Sequence, residues 1–376
     1  MLTPQDDLIG HQTTTTFDHV ASSDPAWMER LWYTGHPIPG GPTPAGEAIF
    51  DIGLGYHPNR NVMDVFAGIA RSGEQIDFRA SRHVRPDPLE TTVGPLSIAV
   101  VEGLRHHRLA LAPNASGLTF ELDYHASMNP HEEEPHFRRR KGRVTEDMAR
   151  VQQLGRYNGW IALDDERWEV TPETWWGQRD HSWGIRAEMR SDETAPPLTF
   201  YPPFLFLWIT VQFPDYGLQL FLKERAPGDT IYITGEEVRP VGTRTHQVRR
   251  LAAMTHEIDW ADDPLGQTVQ SAWLEPVFSD SSRRVLEITT CPARYFLKGG
   301  LYGGLDGWFH GDVRGKLLTD HQRWKLSDPA ARRTLRTLSD HVIEVRDGDN
   351  VGWGIMEYGV GQGYDRYPGT QVHPAI

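Results

Sequence analysis

Chemistry-bearing residues concentrate in one stretch, Gly177-Gln178-Arg179-Asp180-His181-Ser182-Trp183-Gly184-Ile185-Arg186. A carboxylate, an imidazole, an indole and two guanidiniums fall within ten residues. In extended backbone successive side chains point to opposite faces, so Arg179, His181 and Trp183 share one face and Asp180, Ser182 and Gly184 the other. An imidazole beside an indole suits proton shuttling in an apolar hollow, because modest burial carries a histidine pKa across neutrality. The indole face steadies passing positive charge. The same residues also fit a structural role, with Arg179 and Asp180 as an ion-pair latch and Trp183 as a plug at a barrel end.

A second candidate lies in Met356-Glu357-Tyr358-Gly359-Val360-Gly361. If this is a closing strand that turns Glu357 inward, burial raises its pKa and keeps it protonated at neutral pH, as a catalytic acid requires. The alternative is that Glu357 pairs with an arginine such as Arg366 or faces water. Glu121 and Asp123 stand ~7 Å apart if they share a strand. That spacing falls within the range of glycosidase pairs and leaves a minor glycan-active alternative; a solvated strand face explains it equally.

Seventeen histidines call for a metal test. His106 and His107 are adjacent and point apart in a strand. His125, His131 and His136 lie in or beside a charged loop, and His310-Gly311-Asp312 offers one pair. None has closed zinc spacing, so no metal is expected. Cys291 is the single cysteine, which excludes an internal disulfide and a cysteine-based zinc site. There is no GxxxxGK[ST], strand-linked GxGxxG, GxSxG or HExxH, and no cofactor is expected.

The elements that must position these residues read as strands. Leu118, Phe120, Leu122 and Tyr124 alternate with Thr119, Glu121, Asp123 and His125, a period of two. Leu205, Leu207, Ile209, Val211 and Phe213 share one face of a second strand; Phe206, Trp208, Thr210 and Gln212 share the other. Pro214-Asp215-Tyr216-Gly217 turns it into a hairpin with Leu218–Lys223. Further strands are predicted at Glu47–Gly53, Leu96–Val101, Thr230–Thr234, Thr268–Leu274, Arg284–Thr289, His341–Arg346 and Val351–Tyr358. Short strands with turns at Asn158-Gly159, Leu163–Arg167 and Trp175-Trp176-Gly177 are predicted over 150–186. Trp27–Trp32 reads as one helical turn, 128–143 as a charged loop, and 191–203 as a proline-rich linker. One helix is predicted to open at Ser327-Asp328-Pro329. Thirteen Trp, 36 Gly and 27 Pro fit a β protein rich in turns and apolar walls. Closely spaced strands with almost no helix between them argue for antiparallel β architecture and against βαβ units.

The 376 residues suit two domains, 1–200 and 201–376. A net charge of -13, from 38 Lys+Arg against 51 Asp+Glu, argues against a nucleic-acid partner. The basic run Arg138–Lys141 follows His131-Glu132-Glu133-Glu134 and is nearly cancelled. The first residues lack the basic and apolar segments of a signal peptide, and no apolar run approaches bilayer length, so cytoplasm is the default expectation.

The string Arg179-Asp180-His181-Ser182-Trp183-Gly184, approached through Gly155-Arg156-Tyr157-Asn158-Gly159-Trp160-Ile161, resembles the AttH-like and carotenoid 1,2-hydratase (hydroxyneurosporene synthase) superfamily. Lipocalin-like Diels–Alderases are its distant structural relatives. The resemblance is close over 155–186 and loose over most of the chain. It implies an all-β fold of two lipocalin-like antiparallel barrels, with a ligand between or inside them and cofactor-free, non-redox chemistry. In the hydratases a His and Trp of this motif act with a Tyr-x-Asp on a later strand. His181 and Trp183 match the first pair. The later strand here reads Trp208-Ile209-Thr210, with no acid in third place, and Gln212 or Asp215 could substitute only with different geometry.

The resulting expectation is a cofactor-independent hydratase, dehydratase or cyclase for a hydrophobic terpenoid, steroid or polyketide-like molecule. His181, Trp183 and Glu357 are its candidate catalytic residues. Trp176, Phe206, Trp208, Thr210, Gln212 and Tyr358 are candidate substrate contacts, and Arg179, Asp180 and Arg186 hold the motif. The alternative is a carrier that binds the same molecule unchanged. Homo-oligomerisation is left open.

Overall fold

The structure, a computed structural model, describes residues 16, 18–38, 47–140, 142–186, 203–243, 248–263, 268–336, 338–361 and 363–367. Thirteen strands precede residue 187: β1 (Trp27–Pro37), β2 (Ala48–His57), β3 (Val62–Arg71), β4 (Glu74–His83), β5 (Thr92–Val93), β6 (Leu96–Glu102), β7 (His106–Leu111), β8 (Leu118–Ala126), β9 (His131–Glu132), β10 (His136–Arg140), β11 (Arg143–Leu163), β12 (Glu166–Val170) and β13 (Trp175–Arg186). Nine follow: β14 (Leu205–Gln212), β15 (Gly217–Ala226), β16 (Asp229–Val238), β17 (Arg249–Trp260), β18 (Val269–Phe278), β19 (Leu286–Phe296), β20 (Leu317–Lys325), β21 (Ser339–Asp347) and β22 (Asn350–Val360). A short helix, α1 (Pro329–Leu335), sits between β20 and β21, capped by Asp328 through a 2.8 Å bond from the Ala330 amide.

The fold is all-β, with two antiparallel barrels side by side. The first sheet runs β20-β4-β3-β2-β1-β13-β11-β8-β7-β6-β5. Its far strands curl back until β5 packs on β3 and β4, and Arg82 of β4 donates to the carbonyl of Thr92. The second sheet closes fully as β14-β15-β16-β17-β18-β19-β21-β22. One strand crosses between them: β20 leaves the second half of the chain and pairs along the whole of β4.

Several local expectations are corrected. Trp27–Trp32 belongs to β1, not a helical turn. This strand is buried on both faces, which erases the period-two pattern that would have revealed it. Residues 128–143 include the short strands β9 and β10. Asn158-Gly159 and Trp175-Trp176-Gly177 lie within strands. Gly159 has φ of 135°, and a Cβ there would stand 2.0 Å from the Glu121 carbonyl, so the residue marks close backbone approach to β8 rather than a turn. Of the expected linker at 191–203, residues 191–202 lie outside the described residues. Among the described residues no helix is long and apolar enough to cross a membrane.

Pleating gives three working surfaces. Tyr33, Phe50, Ile52, Tyr124, Tyr157 and Trp175 fill the first barrel. Leu205, Leu207, Ile209, Val211, Met356 and Tyr358 fill the second. The outer faces of β1, β2 and β3 meet those of β14, β19, β21 and β22 in a seam, where Trp32, Ile49, Phe66, Phe206, Trp208 and Ile355 form a third apolar cluster.

Candidate active site in the seam between the barrels

The seam gathers charge within apolar walls. Glu357 on β22 is the cross-strand partner of Trp208 on β14 and of Asp340 on β21. Asp51 reaches the group from β2 on the other barrel, and Asp340 lies within side-chain hydrogen-bond reach of both Asp51 and Glu357. Asp51 and Asp340 are 0% exposed, and none of their four carboxyl oxygens has a donor partner. Carboxyl groups in such contact are compatible only if they share protons. Burial pushes Asp51 and Asp340 well above the usual carboxylate range. Burial also raises Glu357, to about 7, while Arg150 and Arg30 oppose the rise. Glu357 differs from its two neighbours in keeping accessible surface.

Cations border this acid group. Arg150 Nη1 lies 3.3 Å from both carboxylate oxygens of Glu133, and its Nε is 3.3 Å from Asp180 Oδ2. Arg30 Nη2 is 3.8 Å from the same Asp180 oxygen, and its guanidinium lies 4.8 Å over the Tyr302 ring. Glu133 also accepts from Trp208 Nε1 at 3.2 Å, contacts His136 Nε2 at 3.1 Å and accepts from Gln152. Burial opposes its ionisation, but Arg150 and these partners hold it down at about 2. Trp32 and Trp208 meet edge to face at 5.6 Å. Buried polar atoms without a protein partner cluster here as well: Arg30 Nε and Nη1, Trp32 Nε1, Thr210 Oγ1, Gln178 Oε1 and Nε2, and Asp180 Oδ1. Buried polar groups are normally bonded, so a concentration of open valences marks a place built for polar occupants.

The strand pattern sorts the predicted residues. Trp208, Phe206, Thr210, Gln212, Trp176, Asp180 and Glu357 are in the seam. Phe206 packs on Phe221 at 5.2 Å, the Gln212 amide lies 2.6 Å from Ser127 Oγ, and Trp176 stacks under Arg156 beside Ile38 and Trp353. Arg186 lies at the seam's edge, near Arg30 and Tyr302. Arg179, His181 and Trp183 share the opposite face of β13, toward the first barrel's interior and mouth. His181 Nε2 is 2.6 Å from Glu29 Oε1, and Trp183 is 38% exposed. These two do project the same way, with ring centroids 5.2 Å apart. They do not meet Glu357, and Trp183 stands at a wet rim rather than in a dry hollow. The Arg179–Asp180 latch does not form, because the pleat puts the two on opposite faces. Tyr358 points into the second barrel, 3.0 Å from His341 Nδ1, and is also not brought to Glu357. Arg366 pairs with Glu257 at 2.8 Å, not with Glu357.

Sequence inspection missed Asp51, Asp340, Arg30, Arg150, Glu133, Trp32 and Tyr302. Asp51 carried a usable signal, a lone carboxylate inside Ala48-Ile49-Phe50-Asp51-Ile52-Gly53-Leu54. Among the described residues no group of three or more His, Cys, Asp or Glu is arranged to hold a metal ion.

A solved structure shares this architecture. A putative AttH from Nitrosomonas europaea is 14% identical, with a TM-score of 0.54 over 88% of this chain and 92% of its own. At this identity the likeness establishes the fold, and the AttH-like resemblance of the sequence holds at that level. Kievitone hydratase from Nectria haematococca is 10% identical, with a TM-score of 0.42 over 89% of each chain. CghA, solved with Sch210972, is 12% identical, with a TM-score of 0.48 over 89% of each chain. No curated protein matches the sequence. The model of a family of unknown function, DUF8625, matches residues 2–364, and the chain belongs to that family.

Proposed function

We propose that this protein is a cofactor-independent lyase or isomerase, of hydratase, dehydratase or cyclase type, acting by acid–base catalysis on a small hydrophobic molecule in the seam. One observation carries this: a carboxyl held near neutrality, Glu357, keeps accessible surface while the two carboxyls behind it have none. A general acid works best with a pKa near the operating pH. In the hydration direction Glu357 gives its proton to an alkene carbon. The oxygen of a water then bonds to the neighbouring cationic carbon, and the surplus proton of that water returns to the Glu357 carboxylate. Dehydration is the reverse. In isomerisation or cyclisation the same carboxyl gives one proton and recovers another. Trp32, Trp208 and Tyr302 supply ring faces for the developing cation. Arg30, Arg150 and Asp180 fix the local field without reorganising. His181 and Trp183 take no part in this step.

Native mass spectrometry of the purified protein, followed by incubation with any apolar molecule it releases, tests the proposal. Turnover should appear as gain or loss of one water, or as an isomer of unchanged mass. Glu357→Gln should lower it by about 10²–10⁴-fold while binding persists. Full turnover by that variant sinks the assignment. Return of the molecule unchanged by the parent protein would favour a carrier.

A further inference from the structure

The interior of the first barrel holds a cation with no counter-charge among the described residues. Arg179 is 2% exposed, yet it forms no ion pair with any described carboxylate. Its Nε and Nη2 both donate to Gln153 Oε1, at 3.2 and 2.7 Å. Gln153 is fastened in turn, its Nε2 donating to the carbonyls of Leu104 and Met128 at 3.0 and 3.1 Å. The two bonds to Gln153 use Nε and Nη2 and leave Nη1 out of them. Tyr124, whose ring lies 5.9 Å from the guanidinium, is within side-chain hydrogen-bond reach of Arg179, but a neutral phenol does not replace an anion.

The setting is built rather than incidental. Tyr33, Arg179 and Gln153 form one cross-strand row over β1, β13 and β11. Tyr33 Oη is 2.5 Å from His107 Nδ1. The row beneath is Gly35, Gly177 and Gly155, and the rings of Phe50, Tyr157 and Tyr124 occupy the space their side chains would take. The row above is Leu31, His181 and Val151, and beyond it Trp183 stands at the rim. Glu29 at the mouth is occupied by His181, 2.6 Å away. A buried charge is costly unless paired, and guanidinium groups are shaped to hold carboxylates.

We propose that the cup of the first barrel is a second binding site, separate from the seam, which takes a small molecule carboxylate-first. Arg179 Nη1 and the Tyr33 hydroxyl would grip the carboxylate, and a compact apolar body would lie against Leu31 and Trp183. The floor of aromatic rings stops deeper entry, so the site selects a short anionic ligand.

The test uses the full chain and 4-benzoylbenzoate, a photoreactive carboxylate, with the neutral 4-benzoylbenzamide as control. Calorimetry should show saturable binding of the acid and about tenfold weaker binding of the amide, as expected for a lost charge-assisted pair. Irradiation should label peptides carrying residues 29–33 or 181–185. Arg179→Met should abolish the preference for the acid, Arg179→Lys should keep part of it, and Glu357→Gln should leave it unchanged. Equal binding of acid and amide, no binding of the acid, or labelling of the seam around Trp208 or Ile355 would each overturn the assignment. The probe comparison and the labelling pattern need only the parent protein, so a variant that fails to fold does not leave the question open.

Discussion

Arg179 and Asp180 are neighbours in sequence and live in opposite electrostatic settings. Asp180 faces the seam, where Asp51, Asp340, Glu357, Glu133 and Asp180 outnumber Arg30 and Arg150. Arg179 faces the cup, where a guanidinium sits among tyrosines and near His107. Burial first, and then the neighbouring carboxyls, make the deepest acids of the seam retain protons. In the cup, burial first, then Arg179, His181 and His106, push His107 down to about 3. One pleated strand therefore separates a proton-storing compartment from a proton-repelling one, with the backbone of β13 as the partition. The difference teaches that the burial and the charges of each face, rather than sequence proximity, set the protonation state.

The comparison can be broken most forcefully at its cations. Arg150→Met leaves Glu133 and Asp180 buried without their shared partner and should cost about 3–5 kcal/mol in urea denaturation. Equal stability of parent and variant would show that the seam's ion pairs are not what holds its acids. The next effect is one of pH. Glu357 has a folded pKa of about 7 against an unfolded value of 4.5, so the native state keeps its proton longer. Its contribution is fully present below pH 4.5 and is lost as pH rises through about 7, on the order of 3 kcal/mol. Glu357→Gln should flatten the stability profile across that window. Glu133 runs the other way: its contribution is present above its unfolded 4.5 and fades as pH falls toward about 2. A parent profile with no dependence on Glu357 between these limits would contradict the proton-storing seam.

Arg179→Met should be milder than Arg150→Met, about 1–3 kcal/mol, because it orphans an amide oxygen rather than a carboxylate. A loss as large as that of Arg150→Met would mean that an acid pairs with Arg179 after all. The smallest effect is expected for Trp183→Ala at the rim, within about 0.5 kcal/mol of the parent in the same assay.

Legibility in the sequence followed the number of wet faces on each strand. β8 alternates cleanly because one face looks outward, and β14 showed its two faces because they differ in polarity. β1 is buried on both sides and carried no period to read. Glu357 was visible as a lone acid on an apolar strand. Its partners Asp51 and Asp340 arrive from other strands, and only the packing of two barrels brings them within reach. The motif around His181 was legible as a strand with two distinct faces, but nothing local says which face meets the other barrel. The pleat was readable; the tertiary side was not.

The path of β20 has a consequence for how the molecule is made. This strand covers the β4 edge of a sheet whose other members precede residue 187. A ribosome must therefore deliver β14 to β19 and then β20 before the first barrel gains its last neighbour, and until then the ladder along β4 stays open to any passing strand. Residues 1–200 expressed alone would carry that unfinished border permanently. The late strand acts as a clasp that couples completion of the first half to synthesis of the second.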